Sequence, residues 1–288
     1  MGGFPPSDRD ANEPSDTGTG NDSSPGFVAL LRSAAGTVRD RPAAVVPFLL
    51  AGIVGAVSTL ARIQTPYPVG MASIARGSFT IPIPLVPRLE PAIELSPTLL
   101  YGLELEYAAG FVGWQAAIAV VTTVAFGIGL RTAASVRGHR PPAARLGWLA
   151  AYVLAVQALP FALAVAVGRW NGYGYGYGYG SGFGLGTGLP VVAAVVVGSV
   201  LLVAPASIVL GGNRPVRAVH ESLAIAAARP LSSVALVLCL GVLAAAPVSA
   251  ATAVSRSALA LGLGTVASVT LAGTAQAAVV AEFYEERG

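Results

Sequence analysis

A chain of 288 residues with 54% hydrophobic and only 11% charged side chains cannot dress a water-facing surface, because soluble domains carry about a quarter charged residues. Lipid must be the solvent for most of it, which leaves little room for a separate soluble catalytic domain. All 17 basic residues are arginine, and the net charge of +3 arises from arginines flanking apolar stretches, so no nucleic-acid partner is expected.

The pattern predicts an all-α polytopic membrane bundle of six transmembrane helices plus two interfacial amphipathic helices, confined to residues 26–288. Residues 1–25 differ in kind. Asp8, Asp10, Glu13, Asp16 and Asp22 stand against one Arg9 among Gly, Ser, Pro and Asn. Such a segment cannot bury a core and is expected to be a disordered acidic tail. An acidic tail on a lysine-free chain fits a halophilic archaeal source.

Ser24-Pro25 then reads as the N-cap and first residue of a helix. Phe27, Val28, Leu30, Leu31, Ala34, Ala35 and Val38 recur at helical spacing, opposite Arg32, Ser33, Thr37 and Arg39. This predicts a short amphipathic helix on the inner leaflet. Arg41-Pro42 turns the chain into the first of six uncharged stretches, at about 43–61, 107–130, 146–168, 189–212, 231–254 and 257–281. Each reaches the roughly 20 residues that span a hydrocarbon core. Pro47, Pro160, Pro205 and Pro247 fall inside spans and are expected to kink them.

Eleven arginines flank the spans on one side and five on the other. The positive-inside rule places both termini in the cytoplasm of a multi-pass protein of the cell membrane. The longest loop, from about Arg62 to Glu106, is rich in proline, and FTIPIPLVP within it suggests an extended ribbon over the outer face. Ser96-Pro97 reads as a helix start from which the second span continues outward. The stretch NGYGYGYGYGSGFGLGTG, residues 171–188, lacks the flanking context of a potassium-channel filter and reads as a flexible loop with interfacial tyrosines.

Before the fifth span, Pro215 opens a second amphipathic segment with Val216, Val219, Leu223 and Ala226 on one face. ALLRSAAGTVRDRP and AVHESLAIAAARP align with one gap. This fits a weak internal repeat, and equally two independent interfacial helices joined to spans. In the last span Ala260, Gly264, Ser268 and Ala272 recur every four residues, a spacing that lets backbones approach closely, inside the bundle or in a homodimer.

Nothing in the chain assembles a catalytic, cofactor or metal constellation. His139, His220 and Cys239 lie in separate segments and make no zinc pattern. Glu104 and Glu106 read as a solvated rim. The spans hold Gln115, Gln157 and Gln276 as interhelical glue but no carboxylate, arginine or histidine, which counts against ion-coupled transport.

The stretch PASIVLGGNRPVRAVHESLAIAAARPLSSVALVL, Pro205 to Leu238, resembles a group of uncharacterised haloarchaeal six-span membrane proteins. That group is distantly similar to the membrane domain of glycerophosphoryl diester phosphodiesterases. The resemblance rests on Pro205, Ile208-Val209, the turn Gly211–Arg214, Ala218, Ser222 and Pro230, and on Ala29–Ala56 near the start. The turn departs from the family pattern, where acidic residues are frequent, by reading Gly-Gly-Asn. The resemblance implies a fold and little about activity. The expected function is a non-enzymatic scaffold or lipid-associated accessory component. Its expected partners are membrane lipids and possible membrane-protein partners or a second copy. The alternative is a permease or channel-like subunit for a small solute.

Overall fold

The computed structural model describes residues 27–65, 70–71, 84–94, 104–134, 142–171, 185–255 and 257–285, with the backbone alone for 27, 70–71, 94, 160–171 and 185–191. The acidic tail, the Ser24-Pro25 cap, the Ser96-Pro97 helix start and residues 172–184 of the glycine–tyrosine loop lie outside these residues. Nine α-helices are described: α1 (Phe27–Asp40), α2 (Val46–Gln64), α3 (Leu105–Ala133), α4 (Ala143–Asn171), α5 (Leu185–Leu201), α6 (Ala204–Val209), α7 (Pro215–Ala228), α8 (Pro230–Val254) and α9 (Ala258–Glu285). A two-residue antiparallel pair, β1 (Gly70–Met71) with β2 (Ile93–Glu94), is the described strand content.

Among the described residues, five stretches are long and apolar enough to cross a membrane: Pro42–Gln64, Leu105–Ala133, Val192–Val209, Pro230–Val254 and Ala258–Glu285. The chain is thus a helical, multi-pass membrane bundle. The helix at the expected third span, α4, runs for 29 residues, but its described apolar part is Ala143–Leu159. The helices outrun the expected spans because uncharged runs mark the hydrocarbon core, whereas helices continue past it.

The last helix is the centre of the bundle. α9 makes its most extensive contacts with α8 and α2, and also touches α1, α3 and α6. Small residues make this possible. A methyl at Gly264 would stand 3.0 Å from Val248 Cα of α8, and Ser268 donates a hydrogen bond to the Ala244 carbonyl of α8. Ala272 is buried and Ala260 half-buried. Gly264 and Ser268 therefore lie at an internal α8–α9 contact. On its other side α9 meets α2, where a methyl at Gly52 would touch the Val266 backbone.

Phe48 is the wedge that locks α2, α3 and α9 together. It is wholly buried and meets Phe126 edge to face, with ring centroids 6.4 Å apart. Its ring fills the space that side chains at Gly129 of α3 and Gly273 of α9 would occupy.

Of the four prolines expected to kink spans, two do otherwise. Pro47 stands in the first turn of α2, where a missing N–H costs nothing. Pro205 stands in the first turn of α6, after a break at 202–203 that divides the expected fourth span into α5 and α6. Pro247 lies inside α8.

Both Arg-Pro elbows are built alike. Arg41 has φ −130° and ψ 68°, Arg229 has φ −134° and ψ 61°, and a proline follows each. The Arg41 and Arg229 amides close the preceding helix on the carbonyls of Thr37 and Ile225. The environments differ, however: α1 packs on α9, whereas α7 packs on α5 and α6.

Candidate functional sites at the two ends of the bundle

One end of the bundle carries α1, α7 and the C-termini of α3, α6 and α9. Here Leu30 and Ala34 of α1 are buried, and Thr37 donates to Glu282 of α9 at 2.6 Å. Part of the expected apolar face of α1, Leu30 and Ala34, is thus packed on protein, while Val28 and Ala35 remain exposed. Amphipathicity alone cannot distinguish the two partners. The Arg41 guanidinium caps the α3 carbonyl end at Ala133, where the helix dipole favours a cation.

The residues of the Pro205–Pro230 motif meet around the α5–α6 break. A broken helix leaves backbone groups that lipid cannot satisfy. Tyr152 of α4 donates to the Leu201 carbonyl at 2.8 Å, and Ser222 of α7 accepts the Val203 N–H at 3.1 Å. Ala218 and Ser222 are wholly buried, so α7 can approach closely. Arg145 of α4 donates to the Val209 and Leu210 carbonyls at the end of α6. Pro230 opens α8. Replacing Ser222 by alanine is expected to destabilise the fold by about 1–3 kcal/mol, the penalty for an unsatisfied buried donor. SDS-titration unfolding of the purified protein would measure it.

The glycines of the turn answer to packing. Gly212 has φ +70°, a left-handed conformation that suits glycine, and lies against the Arg145 guanidinium. A side chain at Gly211 would overlap the Tyr284 hydroxyl. Glu221 of α7 stands at the turn, where it accepts hydrogen bonds from Ser207 and from Asn213 (2.8 Å).

α7 does not bury the face that its apolar residues define. Ala218, Ser222, Ile225 and Ala226 are buried, whereas Val216 and Leu223 are 74% and 49% exposed. With Arg217, His220 and Ala227 also exposed, α7 turns a mixed apolar and basic face outward.

The other end holds a feature the sequence did not disclose. The segment 84–93 does not lie over the bundle as a ribbon; it enters it. Val86 and Leu89 join the main core beside residues of α2, α3 and α9, and Ala92 packs with Val248 and Leu261. The Leu89 carbonyl fills the space beside Gly55 of α2. Deepest is Pro84, whose carbonyl accepts a 2.7 Å hydrogen bond from Gln276. Gln276 stands roughly 27 Å along α9 at 1.5 Å per residue, past the helix midpoint.

Non-helical backbone at that depth must be buried in protein or line water. Proline solves part of the problem, since Pro84, Pro87 and Pro91 have no N–H to satisfy. Gln276 takes one of the carbonyls. A cavity of about 10 Å³ remains beside the segment, between Pro84–Arg88, Ala244 and the 268–276 face of α9. It has room for about one water molecule.

Where the segment leaves the bundle, it carries Glu90 against Arg62. Arg62 Nε lies 2.9 Å from Glu90 Oε1, with the two side chains 3% and 7% exposed. The same oxygen accepts from Ser58, and Trp114 Nε1 stands 2.8 Å from Ser58 Oγ and 3.4 Å from Glu90 Oε1. The guanidinium lies over the Phe111 and Trp114 rings, 5.5 and 5.2 Å from their centroids. Arg62 and Glu90 are therefore buried ionisable residues in a bundle expected to have none. The expected first span stopped one residue short of Arg62, and Glu90 was read as loop.

Gln276, expected to bond between helices, bonds instead to the non-helical segment at Pro84, and Gln115 Nε2 and Gln157 Oε1 are buried with no partner among the described residues. Among those residues no group of three or more His, Cys, Asp or Glu could hold a metal. No protein-family model, no curated protein and no solved structure matches this chain.

Proposed function

We propose that the chain is a six-span protein of the cytoplasmic membrane, with both termini in the cytoplasm, that acts without catalysis as a lipid-associated scaffold. The sixth span of this reading is α4, whose sequence from Leu146 to Gly168 is free of charge. The end bearing α1 and α7 then faces the cytoplasm, because arginine is concentrated there.

One observation carries the role. The outward face of α7 presents Val216 and Leu223 with Arg217, beside the exposed Arg214 in sequence, and α1 exposes Arg32 and Arg39 at the same end of the bundle. Apolar side chains set among arginines suit the boundary between acyl chains and anionic headgroups. The Arg-Pro elbows join both helices directly to spans, so lipid binding would be coupled to the bundle. The same face suits a membrane-protein partner or a second copy.

The test is lipid mass spectrometry of protein purified in mild detergent. Anionic lipid is expected to be enriched over the source membrane. The enrichment should fall in the Arg32→Gln, Arg39→Gln, Arg217→Gln triple variant. A preparation that merely mirrors the membrane's composition would overturn the reading, as would turnover of a substrate by the protein alone.

A second reading, a permease or channel-like subunit, is favoured by the re-entrant segment and its buried ion pair. Ionisable groups inside membrane bundles mark functional sites by default.

A further inference from the structure

Three donors from two helices converge at a single carboxylate. Ser58 and Arg62 come from α2 and Trp114 from α3, and all stand within reach of Glu90 Oε1. The helices supply only donors. Among the described residues the acceptor charge paired with Arg62 arrives on the re-entrant segment, which is not part of either helix. A cation, a hydroxyl and an indole N–H, walled by aromatic rings, make a binding site for a small anion. Glu90 fills it as a tethered substitute.

We propose that Ser58, Arg62 and Trp114 form a site for a small monovalent anion, of carboxylate or halide size. The site is held shut by the chain's own Glu90, and withdrawal of the Pro84–Glu90 segment opens it. The proposal rests on the permease or channel-like reading and assigns it a substrate class and a gate.

Three further observations bear on the gate. The seat that the segment occupies runs alongside α9 to Gln276, past the helix midpoint, so an emptied seat would be a deep cleft. Thr59 of α2 and Thr265 of α9, on two of the helices that seat the segment, are wholly buried, and their hydroxyls have no hydrogen-bond partner among the described residues. Proline leaves the segment few backbone hydrogen bonds to break on leaving. Among those that hold it are the Gln276–Pro84 bond, the Ser58 and Trp114 bonds to Glu90, and the ion pair.

Two variants weaken the gate by different means. Glu90→Gln keeps the shape and an acceptor oxygen but no longer neutralises Arg62. Gly55→Ala places a methyl where the Leu89 carbonyl sits, so the segment must move while α2 gains helix propensity. The full-length protein and each variant are reconstituted in vesicles loaded with potassium chloride or potassium acetate. Anion efflux is followed with valinomycin present, and sorbitol permeation is measured in parallel.

Slow efflux is expected from the native protein and about tenfold faster efflux from each variant, as a shift in the closed-to-open population would give. Adding Arg62→Gln to Glu90→Gln should return anion efflux to the native level. If both variants elute as folded, helical protein and neither speeds anion efflux, the gate is refuted. If sorbitol and anions speed up alike and Arg62→Gln changes nothing, the anion site is refuted while the conduit reading stands. If nothing permeates any variant, both fall together.

Discussion

Phe48→Ala is expected to destabilise the bundle by about 3–5 kcal/mol, the range for emptying a large aromatic site in a core. The ring fits against two glycines, Gly129 and Gly273, on two different helices. Backbones flanking it cannot collapse inward without shifting α3 or α9 as a whole, so the cavity should persist. Unfolding in mixed micelles, followed by helix content as SDS is added, would read the loss. Phe48→Leu should cost clearly less, since it keeps most of the volume. Equal losses for the two variants would mean that ring shape matters more than filled space.

The second large effect is at the ion pair. Glu90→Ala leaves Arg62 buried without its carboxylate and should cost about 3–5 kcal/mol. The same principle predicts that the Arg62→Met, Glu90→Leu double variant costs far less, because no uncompensated charge remains. The double-variant measurement separates stability from function. A pair kept for folding would make the double variant defective in stability. A pair kept for anion recognition would leave it folded but unable to bind or pass anions when the segment is displaced.

Much of the membrane architecture was legible because the signal is local. An uncharged run of twenty residues announces itself, and α3, α8 and α9 contain the stretches at 107–130, 231–254 and 257–281 almost whole. Arg41-Pro42 and Arg229-Pro230 were readable as turns into spans because the helical conformation is disfavoured for the residue before proline.

The re-entrant segment was not legible, because alternating proline and aliphatic residues look the same over a bundle as within one. What distinguishes the two is Gln276, 192 residues from Pro84, and Gly55, whose lack of a side chain admits Leu89. The ion pair was hidden for the same reason: sequence places Arg62 after a span and cannot show that the next loop folds back under it. Pro205 announced a disturbance in the fourth span. The position of the break is set by Tyr152 and Ser222, which lie on other helices and bond to its free backbone groups.

The placement of α9 dictates when this protein can become itself during synthesis. The helix that α1, α2, α3, α6 and α8 all contact is synthesised after every one of them. Until it is inserted, Phe48 has one of its two glycine walls, Thr37 lacks Glu282, and Pro84 has no Gln276 to meet. The earlier helices must therefore wait in the bilayer as an open arc, with the proline segment still unseated. The bundle can close only once α9 has been made and inserted, and truncations that remove α9 should yield inserted but unassembled helices, prey to membrane proteases.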